Sequence, residues 1–220
     1  MLSAYVFDAY GTLFDVHAAI ARYRAAAGPE AERFSEIWRT KQLEYTWTLT
    51  LAGHYVDFWT LTERALDFAL ARVPSVDRAL RGKLLEAYLR LDAFADARTA
   101  LAELKARGAR LAILSNGSPR MLAAAVEAAG IGGLLDAVLS VDSVRRYKPR
   151  PEVYALVANA LAVGPSDAAF VSSNRWDVMG AVSFGFTAYW VNRSRMPDEY
   201  AELAPLREIP DLAALPHVDR

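Results

Sequence analysis

Cysteine is absent from the 220 residues, so disulfides, thiolate metal sites and cysteine nucleophiles are excluded at the outset. Histidine is scarce: His17, His54 and His217 lie far apart, without metal-ligand spacing. Lysine is scarce too, supplying four of the 25 basic residues, which gives the position of each one more weight. No apolar run approaches the length of a bilayer span. The opening residues, MLSAYVFDAYG, turn polar too soon for a secretory leader, and a cytoplasmic protein is expected. Neither sign of charge is in excess, with 25 basic against 26 acidic residues and no like-charge block. That balance argues against nucleic acid or an anionic membrane as partner. What is abundant is apolar: 54% of residues are hydrophobic, enough for a sizeable core in one domain or in a domain with an insertion.

An α/β rhythm runs from the start of the chain and again from about residue 100. Residues 4–7 form a short apolar run that ends at Asp8-Ala9-Tyr10-Gly11, a strand entering a glycine turn. Similar runs cover residues 111–114, 137–139, 168–171 and 187–191. None alternates, which fits strands buried on both faces in a parallel sheet. Helical stretches with recognisable ends lie between them: Ser118-Pro119 opens one that Gly130 closes, Asp96 precedes one that stops at Gly108, and Pro151 opens another. The expected fold is an α/β, doubly wound, mostly parallel sheet with a Rossmann-like core.

Residues 15–92 break this rhythm. Apolar positions recur there at helical spacing, as in Val76, Leu80, Leu84, Tyr88 and Leu91, and in Phe58, Leu61, Ala65, Phe68 and Arg72, with Pro74-Ser75 between the two sets. The segment reads as an inserted all-helical cap on a core domain made of residues 1–14 and 93–220. Ligands of open parallel sheets bind beyond the carboxyl ends of the strands, and a helical insert after the first strand would cover that crevice.

Chemistry-bearing residues follow the apolar runs at those ends: Asp8, then Ser115 with Asn116, then Ser172-Ser173-Asn174 with Asp177. Lys148 falls in the turn Tyr147-Lys148-Pro149. Taken singly, each has a plain reading as a turn former, a loop polar or a solvated charge. In this order, a carboxylate, a hydroxyl, a lysine and a second carboxylate would converge on one crevice.

These motifs resemble those of the haloacid dehalogenase superfamily over essentially the whole chain. The first is Phe7-Asp8-Ala9-Tyr10-Gly11-Thr12-Leu13, with Asp8 as nucleophile; the second ends at Ser115; the third supplies Lys148; the fourth is Val171-Ser172-Ser173-Asn174-Arg175-Trp176-Asp177. Phosphatases of that superfamily carry an acid two residues after the nucleophile, where this chain has Tyr10, and a magnesium-binding Asp where it has Ser173. Bringing a carboxylate to a phosphate dianion without a cation is unfavourable, so both losses weigh against phosphoryl transfer.

The run Trp38-Arg39-Thr40-Lys41-Gln42-Leu43-Glu44-Tyr45 and the Ser-Ser-Asn…Trp-Asp pattern are similar to the L-2-haloacid dehalogenase branch. That resemblance implies a small 2-haloacid substrate, a halide product, no cofactor, no metal and a homodimer. It implies that Arg39 and Asn116 hold the departing halide, that Leu43, Phe58 and Trp176 wall the pocket, and that Ser115 binds the substrate carboxylate. Lys148, Tyr154, Ser172 and Asn174 would support Asp8 and the water, Asp177 would activate that water, and Tyr10 and Thr12 would complete the first loop. Arg39 and Leu43, four residues apart, share a helix face. Arg175 fits no fixed type; it could face solvent, and it is given no role. A superfamily phosphatase and a non-catalytic binding protein on the same scaffold are the alternatives, separated by phosphate release with magnesium and by halide release from 2-chloropropanoate.

Overall fold

The computed structural model describes residues 2–218. Strands β1 (Ala4–Phe7), β2 (Arg110–Ser115), β3 (Ala137–Ser140), β4 (Ala168–Ser172), β5 (Thr187–Val191) and β6 (Arg207–Ile209) form one sheet in the order β3-β2-β1-β4-β5-β6. Each neighbouring pair is parallel. Every residue of β1 and β4 is buried, which explains why these strands show no alternation: both faces are covered. From β1 the chain winds outward to β3, then returns to β4 on the other side of β1 and winds out to β6. Strand β6 has no counterpart in the sequence reading. It is a three-residue edge strand with two residues exposed, too short and polar to carry a pattern.

Between β1 and β2 lie α1 (Ala18–Ala21), α2 (Arg24–Ala27), α3 (Ala31–Leu51), α4 (Phe58–Arg72), α5 (Arg81–Leu89) and α6 (Ala97–Ala106). The helical segment leaves and rejoins the core through a narrow stem, where Asp15 N donates to Asp92 O at 2.9 Å and Phe94 N to Leu13 O at 2.9 Å. Val76, Leu80, Leu84, Tyr88 and Leu91 are all buried, as their spacing predicts. Phe68 is not: it is 39% exposed, and the Lys41 ammonium sits 4.6 Å from its ring centre. The buried face of α4 runs through Phe58, Leu61, Thr62, Ala65, Leu66, Ala69 and Leu70. At 3.6 residues per turn, Phe68 lies about 100° from the centre of that face.

The remaining helices are α7 (Pro119–Ala129), α8 (Pro151–Tyr154), α9 (Leu156–Leu161) and α10 (Arg175–Phe184). Helix α7 has Pro119 in its first turn and ends at Gly130 in the left-handed conformation, φ 61°. Asp96 stands at the start of α6, yet its carboxylate turns away to Arg193 Nη1 at 2.7 Å and to Leu212 N at 2.7 Å. No helix among the described residues is long and apolar enough to cross a membrane.

Candidate active site

Asp8 follows β1, and its N–H still donates to Val171 O of β4 at 2.9 Å. That puts its carboxylate at the carboxyl end of the sheet, between the two strands where the winding reverses. The chain then turns sharply at Gly11, with φ at 97°, where a β-carbon would also lie 3.2 Å from Ser173 Oγ. The turn brings the Thr12 hydroxyl back to donate to Asp8 Oδ2 at 3.1 Å. Asn174 Nδ2 donates to the same oxygen at 2.8 Å, and Lys148 Nζ approaches Asp8 Oδ1 at 3.2 Å. Asp8 is 5% exposed, so an anion with little access to water is held by three donors.

Lys148 is shared. Its ammonium lies 2.8 Å from Asp177 Oδ2, while Asp177 Oδ1 accepts from the Tyr154 hydroxyl at 2.8 Å. Asp8, Lys148, Asp177 and Tyr154 thus form a chain of fully or almost fully buried polar groups. Burial favours the neutral lysine, but the facing carboxylates of Asp177 and Asp8 outweigh it, and the Lys148 pKa lies above its ordinary value. Burial pushes Asp177 up to about 6 against the pull of Lys148, with the Asp8 charge adding to the rise. The Tyr154 phenol is raised well above its usual range by burial and by the Asp177 carboxylate, so it remains a donor. Among the described residues, no three His, Cys, Asp or Glu side chains gather as a metal site, and the space between Asp8 and Asp177 is filled by Lys148 Nζ.

The other predicted residues are brought to the same end of the sheet. Asn116 Oδ1 accepts from Lys148 N at 3.1 Å, which leaves its Nδ2 as the available donor. Ser115 Oγ accepts from Gly117 N at 3.0 Å, and Ser172 Oγ from Asn174 N at 3.1 Å, so each hydroxyl shapes its own loop. The Tyr10 ring stacks on Tyr88 at 5.9 Å and lies 5.9 Å from Phe58, yet its buried hydroxyl has no hydrogen-bond partner. Arg39 reaches down from α3, with Nη2 donating to Tyr10 O at 3.2 Å. With Leu43, Gly11, Asn174 and Trp176 it lines a cavity of about 530 Å³.

Arg175, given no role from the sequence, has a structural one. It does not face solvent but is 5% exposed, with Nε donating to Asp198 Oδ1 at 2.6 Å and Nη2 to Tyr200 O at 2.6 Å, over the Trp190 ring. It ties residues 198–203 to the start of α10, and its charge holds the Asp198 carboxyl below the usual range.

Sequence reasoning left out Gln42, Thr62 and Tyr88. Gln42 Oε1 accepts from Arg39 Nη1 at 2.8 Å and from the Tyr88 hydroxyl at 3.1 Å, and its Nε2 donates to Thr62 Oγ1 at 2.7 Å. The available signal was weak: a glutamine one turn beyond Arg39, on a buried helix face that also carries Ser35 and Thr46.

A buried carboxylate at the switch point of a doubly wound sheet, clamped by a buried lysine beneath inserted helices, defines a class of α/β proteins. Comparison with known proteins agrees. The family model of haloacid dehalogenase-like hydrolases matches residues 2–185. (S)-2-haloacid dehalogenase 4A of Burkholderia cepacia is 48% identical over 207 residues, covering 94% of this chain and 89% of that protein. (S)-2-haloacid dehalogenase 1 of Pseudomonas sp. (strain CBS-3) is 45% identical over 218 residues, covering 99% and 96%. The structure of L-2-haloacid dehalogenase from Xanthobacter autotrophicus with chloropropionic acid covalently bound superposes with a TM-score of 0.90 at 40% identity, covering 100% of this chain and 99% of that one. The chain belongs to the haloacid dehalogenase-like hydrolase family, in its L-2-haloacid dehalogenase branch.

Proposed function

We propose that this enzyme hydrolyses short L-2-haloalkanoates to D-2-hydroxyalkanoates through an ester on Asp8, without a metal. One observation carries the reading: the Asp8 carboxylate is held by Lys148, Thr12 and Asn174, with Asp177 behind Lys148 and a tyrosine in place of a second acid two residues on. An ion so placed is built to attack carbon. Its charge is stabilised by fixed donors rather than by water, and position 10 carries a tyrosine where a phosphatase keeps the acid for its leaving alcohol. The covalent chloropropionic acid in the Xanthobacter autotrophicus relative supports the same step.

In the first step an Asp8 oxygen forms a bond to C2 while the carbon–halogen bond breaks, and the halide leaves with the bonding pair towards Arg39 and Asn116. Ser115 holds the substrate carboxylate, and Leu43, Phe58 and Trp176 enclose its carbon chain. In the second step water attacks the ester carbonyl carbon of Asp8 and passes a proton to Asp177. The alkoxide of the hydroxy acid is expelled and takes that proton back from Asp177, while the freed Asp8 carboxyl loses the second water proton to solvent. Lys148, Tyr154, Ser172 and Asn174 hold the carboxylates and water in place. A single displacement at C2 inverts it. In this reading residues 15–92 act as the cap, and the enzyme works as a cytoplasmic homodimer, as its resemblance to the branch implies.

The test is isotopic. With enzyme in large excess over L-2-chloropropanoate in H₂¹⁸O, the hydroxy acid carries ordinary oxygen at C2 and the peptide containing Asp8 gains the heavy isotope. Asp8→Asn abolishes steady turnover, an amide being a poor nucleophile. Heavy oxygen in the product with none on Asp8 sinks the covalent mechanism.

A further inference from the structure

Gln42 is 1% exposed, and both ends of its amide are engaged. Its oxygen faces two donors, Arg39 Nη1 and the Tyr88 hydroxyl, while its nitrogen donates to Thr62 Oγ1, whose own proton goes to Phe58 O at 2.7 Å. A flipped amide would set NH₂ against the Arg39 guanidinium, which can only donate, so the orientation is determined by the network. On the far side, Arg39 Nη2 donates to Tyr10 O, which also accepts from Asn174 Nδ2 at 3.3 Å. The guanidinium is thereby strung between helix α3 and the loop that carries Asp8.

The chemistry of the two acceptors matters as much as their positions. Gln42 Oε1 and Tyr10 O are both uncharged. A glutamate at position 42 would keep an acceptor for the guanidinium, but it would cancel the charge that an anionic leaving group needs. A buried amide aims the group and leaves the charge available.

We propose that Gln42 is a positioning residue for the leaving group. It holds the Arg39 guanidinium plane towards the departing halide without neutralising it, and so sets how well the enzyme expels chloride relative to bromide. The proposal rests on the reading of Arg39 as the cation on the halide side. Chloride is the poorer leaving group, so its departure depends more on a well-aimed donor than that of bromide.

The experiment compares Gln42→Leu, Gln42→Glu, Arg39→Lys and the Gln42→Leu/Arg39→Lys double variant. It measures kcat and KM on 2-chloropropanoate and 2-bromopropanoate, and inhibition by added bromide. Gln42→Leu should lower kcat on the chloro substrate at least about tenfold, the worth of one hydrogen bond to a charged group, and on the bromo substrate by clearly less, with KM little changed. Combined with Arg39→Lys it should add little, because both act through the same group. Gln42→Glu keeps an acceptor for both donors and decides the matter if the leucine variant does not fold. Its bromide inhibition should weaken at least about tenfold, since the charge on Arg39 is then compensated. Equal losses on both halides, full additivity with Arg39→Lys, or unchanged bromide inhibition in Gln42→Glu would each overturn the proposal. Impaired Arg39→Lys beside native-like Gln42 variants removes this inference alone, whereas native-like Arg39→Lys removes the role of Arg39 and the inference with it.

Discussion

Lys148 has no exposed side-chain surface and stands between two carboxylates, 3.2 Å from Asp8 and 2.8 Å from Asp177. Such a cation is worth little as a net gain in stability, because removing it from water cancels most of the attraction, but deleting it leaves two facing anions with nothing between them. Lys148→Met keeps the volume and discards the charge. The expected cost is about 3–5 kcal/mol of stability, seen as a melting temperature lower by roughly 6–20 °C for a chain of this size. Turnover should fall at least about a hundredfold, because the fixed positive charge 3.2 Å from the attacking carboxylate is gone. A variant that melts and turns over like the parent would make Lys148 a bystander.

Helix α10 shows how one element serves the site through a residue with no chemistry of its own. Gly180 faces Tyr154 and Pro149 so closely that a β-carbon would lie 2.4 Å from the Tyr154 hydroxyl and 2.6 Å from Pro149 Cβ. A larger residue there must displace the phenol that donates to Asp177, or the turn that carries Lys148. Gly180→Ala should therefore destabilise by about 1–3 kcal/mol despite the better helix propensity of alanine, and kcat should fall with it. Gly82 in α5 is the control, since it is exposed and a β-carbon there meets nothing within 4 Å. Gly82→Ala should stabilise by about 0.5–1 kcal/mol and leave turnover unchanged. Denaturant melts and steady-state rates on the two variants check both expectations, and equal behaviour would refute the packing argument.

For the molecule as a whole, pH separates activity from stability. Asp177 has its folded pKa raised to about 6 by burial, so the free energy that this group adds to folding is present below its ordinary value of 3.8 and is lost as pH rises through about 6. Lys148, also raised, adds stability that persists below its ordinary 10.5 and disappears only above its folded pKa. In the mechanism proposed above, catalysis needs the opposite state of Asp177, since only the carboxylate takes a proton from water. Turnover should therefore drop as pH falls below about 6, while this buried group makes the fold no weaker between pH 6 and 4. Surface carboxylates held low by a basic partner, such as Asp136 beside Lys105, lose their contribution only below 3.8 and stay out of that window. Rate and melting temperature measured across pH 4–8 test this, and a parallel decline of both would count against it.

The pattern of the chain was enough to place five of the six strands, the helical run after β1 and the polar residues at the strand ends. Each of these is a local matter of apolar runs, glycine turns and chemical type, and each leaves a mark within a few consecutive residues. Resemblance to a family then attached chemistry to Asp8, Ser115, Lys148 and Asp177. Strand β6 left no such mark, because an exposed edge of three residues gains its hydrogen bonds from β5 and not from a periodicity of its own. Arg175 had no assignable role until α10 and residues 198–203 closed over it. Gln42 looked like a helix polar until Arg39, Thr62 and Tyr88, from three helices, met on it. Which polar groups face one another across elements depends on how the elements pack, and only the tertiary structure decided that. Burial then determines which of them must be paired, since an unpaired buried donor or charge is costly.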